Sequence, residues 1–151
     1  ILITSLLTGL ISGFLANWRY RLFEEDRRLN NIKNRLGSYV GTYVVYHWRD
    51  LNTPDACGYR VSLTLDEQNG ALNISQTCTE DAHELIGTIK MDESTVTFGE
   101  GNYMHPKKRG NPTGRIQIYL FDNGMINVDK YYIDDTSYTP GYEKWQWRKG
   151  N

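Results

Sequence analysis

The chain has 151 residues and a formal net charge of −1, which leaves room for one domain of about 110 residues plus an N-terminal helical segment, with a core that needs neither metal nor staple. Residues 19–36 carry six Arg/Lys against three Asp/Glu, so residues 37–151 keep eleven against fifteen. That acidic remainder argues against a DNA or RNA polymer as partner, which calls for a basic face.

Ile1 to Ala16, ILITSLLTGLISGFLA, is an uncharged apolar run that gives way to Asn17, Trp18, Arg19, Tyr20 and Arg21. We read 1–18 as a transmembrane helix, slightly short of the roughly 20 apolar residues a span needs, and the missing initiator Met leads us to expect further residues before Ile1. The basic residues follow the run, whereas a signal peptide places them first. A buried core helix and a signal peptide are the other readings. Trp18 and Tyr20 suit an interfacial belt, while Arg19, Arg21, Arg27, Arg28, Lys33 and Arg35 mark the cytoplasmic flank. The expected topology is single-pass, with the N-terminus outside and the remaining domain in the cytoplasm. Ser5, Gly9 and Gly13 recur every four residues, a small-residue face that lets helices approach and predicts a homo-oligomer, although such spacing also arises by chance. Residues 19–37 form a juxtamembrane helix, with Leu22, Leu29 and Leu36 at spacing seven, Ile32 between them and Gly37 as the stop. We expect one continuous helix whose apolar stripe rests on the domain or on a neighbouring subunit.

Residues 38–151 read as mainly β. Period-two runs predict strands over 39–48, 59–66, 71–78, 84–90, 94–99, 114–121, 125–133 and 142–148. Asn69-Gly70 and Asn123-Gly124 predict hairpin turns. Eight short strands joined as hairpins suggest an up-and-down antiparallel barrel, which has no exposed edge. In such a meander the connections 49–58, 79–83, 100–113 and 134–141 share one rim, and the helix arrives at the other. The long-loop mouth therefore points away from the membrane. Alternation turns Tyr59, Val61, Leu63 and Leu65, Ile116, Ile118 and Leu120, and Trp145 and Trp147 inward, with Arg60 and Arg115 outward. Bulky inward residues favour a filled barrel over one that holds a ligand.

The run Leu36-Gly37-Ser38-Tyr39-Val40-Gly41-Thr42-Tyr43 resembles the Gly-x-Trp opening of lipocalin-like barrels, with Tyr43 in the Trp position. The whole layout, a membrane segment followed by a minimal eight-stranded barrel, resembles the membrane-anchored cyclic-oligonucleotide sensors of bacterial antiphage (CBASS) systems. Members of that family usually have two or more membrane helices where this chain shows one. The resemblance implies an inner-membrane antiphage effector whose barrel binds a cyclic oligonucleotide and whose membrane helices oligomerise to disrupt the bilayer. The first resemblance implies an alternative, a tethered carrier or scaffold for a small apolar ligand or a protein partner.

No Gly-x-Ser-x-Gly elbow, P-loop or His-Glu-x-x-His pair occurs, so no catalytic residue, and no enzyme, is expected. His47, His83 and His105 lie on separate segments, and no metal or cofactor is expected. The candidate ligand-binding residues are Trp48 and Arg49 at the rim, with Tyr103, His105, Lys107, Lys108 and Arg109 in the loop GEGNYMHPKKRGNPTG. Gly99, Gly101, Gly110 and Gly114 would let that loop close as a cationic lid over a phosphate-bearing ligand, and an aromatic plane with a guanidinium suits a nucleotide. The same residues also read as a solvated loop and rim packing. Glu80, Asp81, Asp134 and Asp135 load this rim with negative charge. Cys57 and Cys78 are cross-strand neighbours if the intervening turn centres on Glu67-Gln68, and offset by four residues if it centres on Asn69-Gly70. A bridge between them would count against a cytoplasmic domain, as would use of the Asn73-Ile74-Ser75 sequon.

Overall fold

The computed structural model describes residues 2–48, 55–77, 84–110, 112–133 and 139–150. One helix, α1 (Leu2–Leu36), runs unbroken through both predicted helical segments into a 3₁₀ turn (Gly37–Tyr39). Eight strands follow: β1 (Gly41–His47), β2 (Asp55–Asp66), β3 (Ala71–Thr77), β4 (Leu85–Met91), β5 (Phe98–Met104), β6 (Thr113–Leu120), β7 (Ile126–Ile133) and β8 (Pro140–Lys149). Each pairs antiparallel with its neighbour in sequence, and β1 closes on β8 from Tyr43↔Lys149 to His47↔Trp145. The expected up-and-down barrel is therefore the observed fold.

Closure settles which end is which. The short turns after β2, β4 and β6 lie at the end where α1 arrives, and the longer connections lie at the other. At the helix end three carboxamide or carboxylate side chains brace the turns. Asp66 accepts from the backbone N–H of Gln68 and Asn69, Asp92 from those of Ser94 and Thr95, and Asn123 from that of Met125. These are the local bonds by which Asp and Asn make turns. Hydrogen bonds, first from the Asn69 side chain to Asp66 and from the Ser94 hydroxyl to Asp92 and then from the backbone, hold both aspartates below the usual carboxylate range.

Two turn expectations are corrected. Asp66↔Ala71 closes a four-residue loop, 67–70, with Gly70 at φ +63° and its N–H bonded to Asp66 O, so Asn69-Gly70 does not form a two-residue hairpin turn. Leu120↔Ile126 likewise leaves a five-residue connection around Gly124. The first correction moves the register midway between the two considered for the cysteines. Cys57 lies on β2, and Cys78 lies outside the described residues, as do His83, Glu80, Asp81, Asp134 and Asp135.

The fifth strand is also corrected, from 94–99 to Phe98–Met104. Residues 92–97 are a turn in which Val96, at φ +52°, bonds back to Asp92 O. The expected mobile loop thereby shrinks to 105–112, and Gly99, Gly101 and Gly114 are not hinges. All three sit on strands with their Cα hydrogens inward, facing close neighbours. A Cβ on Gly101 would run into the Thr88 carbonyl, and one on Gly114 into the Tyr103 ring and the Tyr131 carbonyl. Glycine is required there because neighbouring strands and rings occupy the space of a side chain.

The inward residues follow the expected alternation. Tyr43, Val45, Val61, Leu63, Leu72, Ile74, Ile89, Met91, Ile116, Ile118, Leu120, Ile126, Val128 and Trp147 fill the barrel from its centre to the helix end. Tyr43, in the lipocalin Trp position, is wholly buried and donates its hydroxyl to Tyr39 O at 2.7 Å. The helix closes this end. Ile32 and Leu36 are buried in the barrel core, and Leu29 and Ile32 lie over Gly70. Arg28 pairs with Glu93 at 2.9 Å, and Lys149 Nζ donates to Ser38 O at 2.6 Å. The stripe predicted from Leu29, Ile32 and Leu36 thus rests on the chain's own barrel, whereas Leu22 is exposed.

Every described side chain from Thr8 to Phe23 is exposed, including Leu10, Ile11, Phe14, Leu15, Trp18 and Phe23. These sixteen helical residues, apolar up to Ala16 and carrying Arg19 and Arg21 beyond it, make an exposed arm about 24 Å long. Among the described residues no helix is long and apolar enough to cross a membrane. Gly9 and Gly13 are exposed, with open space where a side chain would stand. Ser5 lies on the same helix.

The glycine requirement is testable. Gly101→Ala is expected to cost about 2 kcal/mol, the usual scale of overpacking, in urea unfolding of the full chain. Gly37→Ala, which meets open space, is expected to change stability by less than about 0.5 kcal/mol.

Candidate functional site

The barrel interior changes character along its axis. Toward the long-loop mouth most inward positions become aromatic, polar or glycine, with Leu85 on β4 as an aliphatic exception: His47 on β1, Tyr59 on β2, Gln76 on β3, Gly87 on β4, Tyr103 on β5 with His105 just beyond it, Gly114 on β6, Lys130 and Tyr132 on β7, and Glu143 and Trp145 on β8. Strand alternation delivers each of them. Lys130 shares its face with Ile126 and Val128, and Glu143 shares its face with Trp145 and Trp147.

The ring arrangement depends on two of the glycines. Tyr103 has glycine as its partner on both neighbouring strands, Gly87 and Gly114. Its ring lies across Gly114, and its hydroxyl donates to Tyr131 O on the strand beyond at 3.3 Å. Tyr132 lies in the same way over Gly141. Trp145 on β8 stacks on Tyr59 of β2, past the β1 strand between them, with ring centroids 5.9 Å apart, and meets the edge of His47. Tyr103 meets the edge of His105 at 5.4 Å.

Lys130 stands among these rings. Only 7% of it is exposed, and Nζ lies 4.8 Å from the Trp145 ring centroid, 5.1 Å from that of Tyr103 and 5.8 Å from that of Tyr132. Such faces attract a cation through their quadrupoles. The remaining partner is Glu143, whose Oε2 is 3.6 Å away, an ion pair at longer than hydrogen-bond length. Burial pushes the Lys130 pKa below its ordinary value and Lys108 adds to this, while Glu143 acts in the opposite sense. Burial first, then Glu143 and Tyr132, push the Tyr103 hydroxyl upward, so it stays protonated.

The residues expected at the site are partly brought together. Tyr103 and His105 belong to the mouth layer, but as buried side chains and not as parts of a lid. His105 Nδ1 donates to Glu84 O at 2.7 Å, and Lys107 Nζ pairs with Glu84 Oε1 at 2.9 Å, so the turn after β5 is fastened to the start of β4. Lys108 is half-buried and near enough to Lys130 to affect its charge, while Arg109 is exposed. Trp48 is half-buried, with its backbone N–H bonded to Lys144 O. Arg49 lies outside the described residues. Arg60 and Arg115 point outward as expected, and Arg115 pairs with Glu100.

Two residues at the centre of this layer, Lys130 and Glu143, were missed by motif reading because neither lies in a motif. Their signal was the period of their strands. Two indole donors at this end, Trp48 Nε1 and Trp145 Nε1, are buried with no hydrogen-bond partner. No protein family, characterised protein or solved structure matches this chain. The reading of the site therefore rests on its own geometry. A buried cation, aromatic planes and unsatisfied donors suit an anionic ligand that carries flat rings.

Removing Lys130 alone leaves Glu143 without its counter-charge. Lys130→Met is expected to cost about 2 kcal/mol in urea unfolding, and Lys130→Met with Glu143→Gln to recover at least half of that, as for other enclosed pairs. The sign with pH follows from the lowered Lys130 pKa. Between its folded pKa and its unfolded value of 10.5 the unfolded chain binds more protons, so the contribution of Lys130 to stability rises as pH climbs through that window. The double variant lacks this rise.

Proposed function

We propose that this protein is a membrane-tethered sensor: its barrel mouth binds a cyclic oligonucleotide, and its helical arm holds it in a bilayer and assembles with the arms of other copies. The observation that carries the reading is the division of the molecule into an exposed apolar arm at one end and a cationic, ring-lined layer at the other. The phosphates would meet Lys108, Arg109 and Lys130, and the bases would stack on rings such as Trp48. The arm would lie in the bilayer with Trp18 and Tyr20 at its interface and Arg19 and Arg21 among the headgroups. Ser5, Gly9 and Gly13 would form the contact between arms. By its resemblance to CBASS effectors, such a protein would act at a bacterial inner membrane, with the barrel in the cytoplasm and bilayer disruption as the output. The alternative, a carrier of a small apolar ligand, is less well supported because aliphatic side chains fill the helix-end half of the barrel.

Calorimetry of the full chain in detergent against cyclic di- and trinucleotides is expected to give at least one dissociation constant of about 10 μM or tighter. Trp48→Ala and Lys108→Ala should each weaken it by about fivefold, on the scale of one stacked ring or one charged contact. Absence of heat with every member of the panel would sink the reading.

The arm is tested separately by flotation with liposomes and crosslinking on them. Leu10→Asp with Phe14→Asp is expected to abolish flotation, because each charge placed in the hydrocarbon costs about 2.5–3.5 kcal/mol. Gly9→Leu with Gly13→Leu should float normally and lose its crosslinks. Crosslinking unchanged from the wild type would make the small-residue face incidental.

A further inference from the structure

Lys130, Glu143 and Trp145 have more hydrogen-bonding capacity than the protein satisfies. The ammonium offers three donors, and its surroundings are three ring faces, which hold charge but supply no lone pair in the ring plane, together with one carboxylate oxygen at 3.6 Å. Glu143 Oε2 is itself buried without a hydrogen-bonded partner. Trp145, only 6% exposed, has its ring against this cation and its indole N–H without a hydrogen-bond partner. A buried donor without an acceptor costs about 1–3 kcal/mol. An unmet indole N–H and a loosely paired ammonium therefore belong to the same layer of the barrel mouth.

The two members of the ion pair are not equally enclosed. The Lys130 side chain is 9% exposed, and that of Glu143 is 27% exposed. Glu143 is thus the partner with a way out to water, and its departure would uncover the ammonium. Lys108 adds positive potential at the same place, which an anion would offset.

We propose that Lys130 and the Trp145 indole N–H form an internal subsite for one phosphate group, and that Glu143 occupies its place until the phosphate displaces it. The inference rests on the mouth being the ligand site and assigns where a phosphate of the ligand is held. It makes Glu143 a competitor, so that removing its charge strengthens binding. A purely structural ion pair has the opposite consequence, because Glu143→Gln would then loosen Lys130 and the site with it.

The test follows the Trp145 indole resonance of the ¹⁵N-labelled full chain, assigned with Trp145→Phe. The probes are inorganic phosphate, a nucleoside 5′-monophosphate and the cyclic dinucleotides. Inorganic phosphate at millimolar concentration is expected to move this resonance, and Glu143→Gln to lower the dissociation constant about tenfold, equivalent to about 1.4 kcal/mol. Lys130→Met should abolish the response. If that variant does not fold, Trp145→Phe supplies the second measurement, with phosphate binding about fivefold weaker by calorimetry. A resonance that stays still with all three probes overturns the subsite, and so does a Glu143→Gln protein that binds phosphate no better than the wild type. Movement with phosphate or the monophosphate and none with the cyclic dinucleotides would keep the subsite and remove cyclic dinucleotides as its ligand.

Discussion

The volume inside a closed eight-stranded barrel is the constraint on which the rest of this structure depends. Such a barrel is just wide enough for its own side chains or one small ligand, so where an inward residue is bulkiest a neighbouring position has to be small. The β5 strand supplies much of that room. Gly99 and Gly101 stand inward between Met91 and Ile118 and between Ile89 and Ile116, and those four side chains fill the space the glycines leave. One step nearer the mouth the roles reverse, with Tyr103 as the large residue and Gly87 and Gly114 on either side. The same trade, repeated by Tyr132 over Gly141, sets the ring walls around Lys130.

From this packing follows the difference between the two ends. At the helix end the interior is aliphatic and is closed by Ile32 and Leu36, whose burial removes apolar surface from water and fixes how α1 leaves the barrel. At the mouth the interior holds a charge. An ammonium is costly to bury, and the fold offsets that cost with ring faces and one loosely placed carboxylate, without a saturated hydrogen-bond shell. Aliphatic packing in its place would have been neutral or stabilising by the usual comparison. Retention of a poorly satisfied cation at the open end is the kind of local cost that functional sites carry.

Much of this was legible in the sequence. Strand count, closure order, the rim reached by the helix and the inward faces of β2, β6 and β8 all came from alternation and connection length. What misled was glycine. Gly99 and Gly101 read as a flexible loop because a strand with two glycines is weak in isolation; the reason for them lies in β4 and β6, which only the closed sheet brings alongside. Asn69-Gly70 misled for a related reason. Asp66 caps the turn from outside the dipeptide, and its three bonds to Gln68 and Asn69 favour a four-residue loop. The mouth cation was legible and overlooked, since Lys130 lies two residues from Val128 on an inward face, while the Lys107-Lys108-Arg109 cluster drew attention to the rim. The unmet indole N–H of Trp145 could not be read from sequence, because partner loss is a property of what folds around it.

The placement of arm and mouth at opposite ends bears on how one could inform the other. Between them lies a closed barrel, with a register shift at Val44–Tyr46 of β1, whose interior is filled by interlocking side chains. A body packed in this way has no second arrangement in evidence, and coupling through a fold requires an element with two states that both sites bias. The attachment of α1 is similarly tight, through Leu36, Ile32 and the Arg28–Glu93 pair. On the proposed reading, then, ligand binding is better matched to gathering whole molecules than to reshaping one. Copies drawn together at their mouths bring their arms to a high effective concentration, and a weak contact between arms then suffices for assembly with no change in the barrel beyond the displacement of Glu143.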